Sequence, residues 1–367
     1  MALTPAQKKL MTKLLDLEGA VRGERDPFAY GIDTPSPSMN FTFDNTWMLP
    51  DGYTLLMGGA PKGGKSILIN SIEGRLHTSD EDAVTMKYNT ELREEVQCTP
   101  QQKKLWGIDN DRRIVYQVRE PAAIFDRIET EVPKLIQGGV KLRLCIIDSL
   151  NDILGRRTMN ADSVDVQQMG DRAQTLQDGL SRVKEVLRRN NVSLIMTSQV
   201  RSEMDTNQQK YGTGPRVDGT KVKFAVSWAV KHQAEYFLFV ERFKNKGSDK
   251  SLTGEGFVDE TVVGLDGEGD ERAHKIRVTM VDNSLGRPGR VGLFTLDHDL
   301  GIINTHEEVF GLGLGFNVIE QPTLGRFNFA DRSWHGKEKL LEAINGEPEL
   351  YSAILKGCKA KDLARRG

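Results

Sequence analysis

Apolar residues recur along this chain in two rhythms, and their alternation predicts the architecture. Short β-type runs, Tyr53–Met57, Ala83–Tyr88, Arg113–Val118, Leu142–Ile147 and Val192–Thr197, are separated by stretches with helical spacing. Strands and helices alternating in this way make a mostly parallel sheet covered on both faces. The clearest helix is predicted over 163–190, where Val166, Met169, Ala173, Leu176, Leu180, Val183 and Leu187 follow one another at 3-4 spacing. Three heptads between two strands have a sheet to cover, so the stripe reads as a packed helix and not a coiled coil.

Beyond residue 235 the pattern changes. Runs at Tyr236–Phe243, Lys275–Val281 and Val291–Leu296 predict antiparallel strands that extend the sheet, with an acidic, Gly-rich solvated loop at 254–271. A short strand and then a helix from about Lys337 are expected within 326–367. At the other end, Thr4-Pro5-Ala6-Gln7 opens a short amphipathic helix, 4–22, with Leu10, Leu14, Leu17 and Val21 on one face. Residues 23–50, with Pro27, Pro35, Pro37 and Pro50, read as an extended linker. The expected organisation is an N-terminal helix and linker (1–50), an α/β core (51–303) and a small C-terminal region with a basic tail (304–367).

Composition narrows the classes. With 38% hydrophobic residues in 367, wholesale disorder is excluded. Fifty Lys+Arg against 52 Asp+Glu leave a net charge of −2, so any contact with nucleic acid has to come from local basic patches. Cys98, Cys145 and Cys358 are too few and too scattered for a disulfide framework or a zinc site, which suits a reducing compartment. The chain has no signal-like apolar start and no run near the ~18 apolar residues of a membrane span, so a soluble cytoplasmic protein without a membrane partner is expected.

The chemistry begins at Gly59-Ala60-Pro61-Lys62-Gly63-Gly64-Lys65-Ser66, which matches GxxxxGK[ST] between a strand and an apolar helix. Glycines there let backbone N–H groups close around phosphates at the positive end of the helix. Lys65 is expected to bridge the β- and γ-phosphates and Ser66 to give its hydroxyl to Mg²⁺, so a nucleoside triphosphate with Mg²⁺ is the expected ligand. A carboxylate must position Mg²⁺ through water, and Asp148, closing the strand run LRLCII, is the candidate. A group to activate water is also needed. Glu91, just past the second strand, is a candidate beside its neighbours Glu94 and Glu95.

From about Pro35 to Leu355 the chain resembles the RecA family of recombinases, and most of all the phage UvsX type. The resemblance lies in the GAPKGGKS loop, YNTE after the second strand, IIDSLNDI, LIMTSQVR and the terminal SWHGKEKLLEAINGEPELYSAI. It implies a RecA-like P-loop ATPase core. It makes Glu91 the water-activating carboxylate and Gln199 the residue that senses the γ-phosphate and signals to a DNA-binding loop. It also implies two loops on single-stranded DNA, one near Gly155–Asp162 with Arg156 and Arg157, the other across Arg201–Lys231. The second carries Arg201, Lys210, Arg216, Lys221, Lys223 and Lys231 against Glu203, Asp205 and Asp218, a local +3, with Tyr211 and Phe224 available to stack on bases and Trp228 read as a core aromatic at its far end.

The chain departs from that family in several places. Gln102 stands where relatives set a tyrosine against adenine, and Asn89 where UvsX proteins have aspartate. Val281-Asp282-Asn283-Ser284 replaces two basic residues that reach a neighbouring subunit's phosphate, so Arg287, Arg290 or another cation would inherit that role. The tail bearing Lys356, Lys359, Lys361, Arg365 and Arg366 is basic where bacterial RecA is acidic. The expected function is a DNA-dependent ATPase that forms filaments on single-stranded DNA and exchanges strands with homologous duplex, self-assembling and served by a single-strand-binding protein and a loading mediator. In that setting the compartment is the cytoplasm, a host's if the source is viral. The alternative is a ring-forming helicase or another DNA-stimulated ATPase of the same fold, and a third reading is a non-catalytic module that uses ATP only to assemble.

Overall fold

The computed structural model describes residues 30–156, 170–204, 207, 216–217, 220–242 and 273–365. The helix expected over 4–22, residues 163–169 of the long helix and the acidic stretch 254–271 lie outside them. The chain enters through a two-stranded ribbon, β1 (Gly31–Ile32) with β2 (Leu49–Pro50), and then builds one large mixed sheet. Its first strands are β3 (Thr54–Gly59), β4 (Val84–Asn89), β5 (Arg113–Tyr116), β6 (Leu142–Asp148) and β7 (Ser193–Ser202). Beyond them β8 (Arg216–Val217) and β9 (Thr220–Phe224) form a hairpin on the end of β7. The sheet continues with β10 (Tyr236–Arg242), β11 (Ala273–Asn283), β12 (Val291–Asp297) and β13 (Gly301–Ile303), in the order β13-β12-β11-β10-β3-β7-β6-β4-β5.

This is an α/β fold with a mostly parallel sheet flanked by helices, and side-chain alternation explains both covered faces. Along the central strands, Leu56, Met86, Tyr88, Cys145, Ile147, Leu194 and Met196 point to one face, under Ile124, Phe125 and Ile128 of helix Pro121–Gln137 and Leu176, Leu180 and Val183 of helix Asp171–Arg189. Leu55, Met57, Leu144, Ile146 and Ile195 point to the other face, against Leu68, Ile69, Ile72 and Leu76 of helix Lys65–Ser79. Strands buried on both faces explain the unbroken apolar runs in the sequence.

Three expectations are corrected. β10 runs parallel to β3, because the short helix Trp228–Lys231 first carries the chain back to the amino-terminal end of the sheet; the reversal comes one strand later, at β11. The C-terminal part holds a three-stranded meander, β14 (Glu320–Thr323), β15 (Arg326–Phe329) and β16 (Arg332–His335), and two helices, Lys337–Gly346 and Pro348–Ala364, where one strand and one helix were expected. Pro348 at the first helical position restarts the helix.

The third correction concerns 30–50, which is core and not linker. Ser36 caps and Pro37 opens a helix, Pro37–Thr42, whose six residues are all buried. Met39 and Phe43 join the core beneath the sheet, while Phe41 and Trp47 join a separate cluster with Phe310, Phe316, Leu340 and Ile354 of the C-terminal region. Arg290 locks this junction: it pairs with Asp44 (2.6 Å) and Asp362 (2.8 Å) and donates to the Phe41 carbonyl (3.1 Å).

A buried carboxyl sits at the same junction. Glu308 Oε2 accepts from the Ser36 hydroxyl (2.5 Å) and the Ser38 N–H (2.9 Å), while Oε1 has no partner. Burial pushes the group up to about 8, against the opposing pull of Ser36, Ser38 and Lys275. The folded protein therefore keeps a proton that the unfolded chain releases near pH 4.5. The group's contribution to stability is complete below that value and falls by roughly 1.4 kcal/mol per pH unit until the folded carboxyl ionises. Glu308→Gln is expected to flatten the decline of Tm between pH 5 and 8 and to raise Tm at pH 8. Thermal melts across that range check it, and an unchanged slope would assign the decline to another group.

Candidate active site

The carboxyl ends of β3, β4, β6, β7 and β10 meet along one edge of the sheet, where α/β folds bind ligands. Gly59–Ser66 turns from β3 into helix Lys65–Ser79 at this edge. Gly64 has φ 86°, a left-handed conformation that favours glycine, and it begins the helix without a side-chain cap. The first N–H groups of the helix are thus left facing the loop. Lys65 Nζ folds back onto the Gly59 and Ala60 carbonyls, at 3.0 and 2.8 Å. Burial lowers its pKa, and the charges of Asp148 and Glu91 oppose that shift. Lys65, Asp148 and Glu91 therefore share one electrostatic field.

Asp148 ends β6 and is 2% exposed. Its Oδ1 accepts from the Thr197 hydroxyl on β7 at 2.5 Å, and its Oδ2 is buried with no partner. An unsatisfied, buried carboxylate oxygen beside a phosphate-type loop fits a hydrated divalent cation, which Ser66 and Asp148 could hold together with ligand oxygens. Among the described residues no group of three or more His, Cys, Asp or Glu is placed to hold a metal by protein ligands alone. Thr90 joins Asp148 to the segment after β4: its hydroxyl donates to the Ser149 carbonyl (2.6 Å) and accepts from the Ser149 N–H (2.7 Å).

Among the three acidic candidates after β4 the geometry discriminates. Glu94 is buried in ion pairs with Lys87 (2.9 Å) and Arg113 (2.8 Å); burial raises its carboxyl, but those two charges outweigh it and hold the group below its ordinary value. Glu95 accepts from Gln117 at the surface. Glu91 alone of the three is coupled to Lys65, and its Oε2 accepts from Gln97 Nε2 (2.6 Å) and Arg93 Nε (2.7 Å). Arg93 and Gln97 were not singled out in the sequence, where an Arg and a Gln beside several glutamates look like an ordinary solvated turn.

Gln199 on β7 lies in register with Gly59. Its N–H donates to Asn151 Oδ1 (2.7 Å) and its carbonyl accepts from the Ala225 N–H (2.8 Å). Arg172 donates to the carbonyls of Asn151 (2.8 Å) and Ala225 (3.4 Å), tying the stems of both basic loops together. Sequence reasoning passed over Arg172, although a cation in a helix's first turn opposes the macrodipole and so hints at a specific task.

β7 continues past the sheet edge to Ser202 and pairs antiparallel with β9, so that Arg201 faces Lys223. Alternation buries Val222 and Phe224 and sends Lys221 and Lys223 to the other side, where Lys223 pairs with Glu203 at 3.0 Å. Arg156 and Arg201 are exposed, the side chain of Arg216 lies outside the described set, and so do Arg157 and Lys210 altogether. Phe224 is not free to stack on a base. Its ring packs edge-on against Phe237 and Phe239.

Two further candidates change. Arg290 is consumed by Asp44 and Asp362, and the β11–β12 turn carrying Arg287 and Arg290 lies at the sheet end opposite the Gly59–Ser66 loop, since Asn283 pairs with Tyr236 at the start of β10. Arg287 itself is exposed. Gln102 closes a capping box with Thr99 and donates to the His298 carbonyl (3.0 Å), so its amide is already engaged.

The loop strand and the basic hairpin touch directly: a Cβ at Gly58 would lie 1.8 Å from the Phe224 ring. Gly58→Ala is expected to destabilise the fold by about 1–3 kcal/mol through overpacking, read as a drop of several degrees in Tm. Phe224→Leu in the same chain is expected to restore much of the loss; no recovery would locate the strain elsewhere. The chain matches no protein-family model and no curated protein, so the site has to be read from its own geometry.

Proposed function

We propose that this chain is a RecA-like, DNA-dependent ATPase that polymerises on single-stranded DNA and exchanges strands with homologous duplex DNA. The observation that carries the reading is a single strand, β7, that holds Gln199 beside the phosphate-type loop at one point and pairs with the basic strand β9 at the next. That continuity gives a mechanical route from a nucleotide to a DNA-binding surface.

In the mechanism, the N–H groups of Gly59–Ser66 and the Lys65 ammonium hold the β- and γ-phosphates, and Lys65 leaves its loop carbonyls to do so. Ser66 and Asp148 would hold a Mg²⁺ ion, which would supply positive charge to the phosphate oxygens. Glu91 orients the attacking water, while the Gln199 amide detects the γ-phosphate and shifts β7 and the hairpin paired with it. Arg156, Arg201, Lys221 and Lys223 meet the DNA backbone. The segment 4–22 docks on a neighbouring subunit, and a heterologous contact that does not close yields a helical filament.

Electron microscopy on long single-stranded DNA with a slowly hydrolysed ATP analogue and Mg²⁺ is expected to show continuous, DNA-extending filaments; closed rings would favour the helicase alternative. Lys65→Ala is expected to abolish ATP turnover and ATP-dependent assembly, and normal turnover in that variant would remove the loop from the mechanism. Reversal of Lys221 and Lys223 to Glu is expected to weaken DNA binding and flatten its log-log salt dependence by roughly one unit per lost phosphate contact. An unchanged slope in a salt titration would move the DNA elsewhere.

A further inference from the structure

We infer that Arg93 is an ion-pair switch: when a nucleoside triphosphate enters the loop, its guanidinium leaves Glu91 for the γ-phosphate. The inference deepens the ATPase reading above and rests on it. In the structure one oxygen of Glu91, Oε2, takes Nε and Nη2 of Arg93 together with Nε2 of Gln97. Three donors on one carboxylate oxygen leave it little capacity to accept from a water molecule. The cation thus ties down one of the two carboxylate oxygens and fixes how the candidate base is turned in the resting site.

Arg93 is well suited to leave. Its side chain is 61% exposed while that of Glu91 is only 16% exposed, and an ion pair with so exposed a member is weakly held. Its bond to Glu91 and the charges of Glu91, Asp148 and Asp152 keep the guanidinium protonated and mark it as lying over the same edge as the Asp148 carboxylate. Around the turn after β4, Lys87 and Arg113 are committed to Glu94 and Arg119 to the Thr90 carbonyl (2.8 Å), which leaves Arg93 as the exposed cation on this side of the loop, opposite Lys62 on the loop itself. The β11–β12 turn that carries Arg287 and Arg290 is at the far end of the sheet.

Glu91 keeps its place after the exchange, because Gln97 is anchored independently. Asn89 Nδ2 donates to Gln97 Oε1 (2.7 Å) and Asn70 Nδ2 to the Gln97 carbonyl (3.3 Å). Gln97 is thus a positioning residue and Arg93 the moving one. Released, Glu91 orients water whose oxygen bonds to the γ-phosphorus. The bond from that phosphorus to the bridging oxygen breaks, ADP departs with the electron pair, and the water proton passes through Glu91 to the released phosphate. Arg93 neutralises the charge that spreads over the γ-oxygens during that exchange.

The test is a double-mutant cycle on equilibrium affinity for a slowly hydrolysed ATP analogue and for ADP, both with Mg²⁺, in the wild type, Arg93→Ala, Glu91→Gln and the double variant. Arg93→Ala is expected to weaken the analogue about tenfold, the size of one lost charged hydrogen bond, with ADP almost unchanged. Glu91→Gln, which frees Arg93 in advance, is expected to tighten the analogue, and the gain is expected to vanish in the double variant. Turnover by Arg93→Ala is expected to fall by about a thousandfold or more. A wild type that hydrolyses ATP alongside an Arg93→Ala variant with the same rate and the same analogue-to-ADP ratio would overturn this inference alone. A wild type that binds neither nucleotide would overturn the ATPase reading and the switch with it.

Discussion

A charge buried without a partner is among the most expensive defects a fold can contain, and beneath the candidate active site four buried charges escape it by pairing with one another. Arg113 sits between Glu73, at 2.8 Å from Nε, and Glu94, within ion-pair distance at 2.8 Å, and Lys87 completes the set on Glu94 at 2.9 Å. These side chains range from 0 to 7% exposed. None can shift alone, so the elements that carry them are fixed relative to one another. Those elements are helix Lys65–Ser79 through Glu73, β4 through Lys87, β5 through Arg113 and the turn after β4 through Glu94. Hydroxyl and amide groups add further bonds to the set: Thr85 donates to Glu73 (2.6 Å), Lys87 to Asn70 (2.8 Å) and Asn89 to Glu94 (2.8 Å).

The position of Glu91 follows from this lattice. Glu94 is held from below and lies three residues beyond Glu91, so the turn between them has little freedom, and Asn89 reaches both Glu94 and Gln97. The asparagine at 89 is informative here. Its amide donates to two acceptors at once, which an ionised aspartate cannot do. On the opposite flank of the loop the described residues form no comparable ionic lattice; Gln199 is set by the Asn151 side chain and by the β9 hairpin, which packs Phe224 into the space that Gly58 leaves open. One flank is rigid and charged, the other is a strand extended beyond its sheet.

The parts of this arrangement written in local sequence were legible. Short, unbroken apolar runs marked the central strands, and the phosphate-type loop and Asp148 stood out because each is defined by its neighbours in the chain. What was missed depends on partners far away in sequence. The prolines near 35 look like a linker until Glu308 is seen accepting from Ser36, 272 residues away, and Trp47 Nε1 donating to Asp362, 315 residues away (2.8 Å). Arg290, just past Pro288-Gly289, reads as a cation free to reach a neighbouring subunit although Asp44 and Asp362 enclose it. Glu91 could not be separated from Glu94 and Glu95 by spacing, because only the third dimension shows which of them is committed to the core.

Charge allocation is the step that spacing cannot make, and it sorts the cations into two populations. Arg113, Lys87 and Arg290 pair with more than one group in buried or half-buried settings and hold the fold together. Arg93 and Lys223 are exposed and each is held by one nearby carboxylate, Glu91 and Glu203, on either side of the loop. A net charge near zero conceals this division, since both populations count alike. Exposed pairs are weak and salt-sensitive, and phosphate oxygens compete for the same guanidinium or ammonium with higher charge density. These two pairs flank the loop, Arg93 in the turn after β4 that carries Glu91 and Lys223 on β9, which pairs with the strand that carries Gln199, so either can be given up at little cost to the fold.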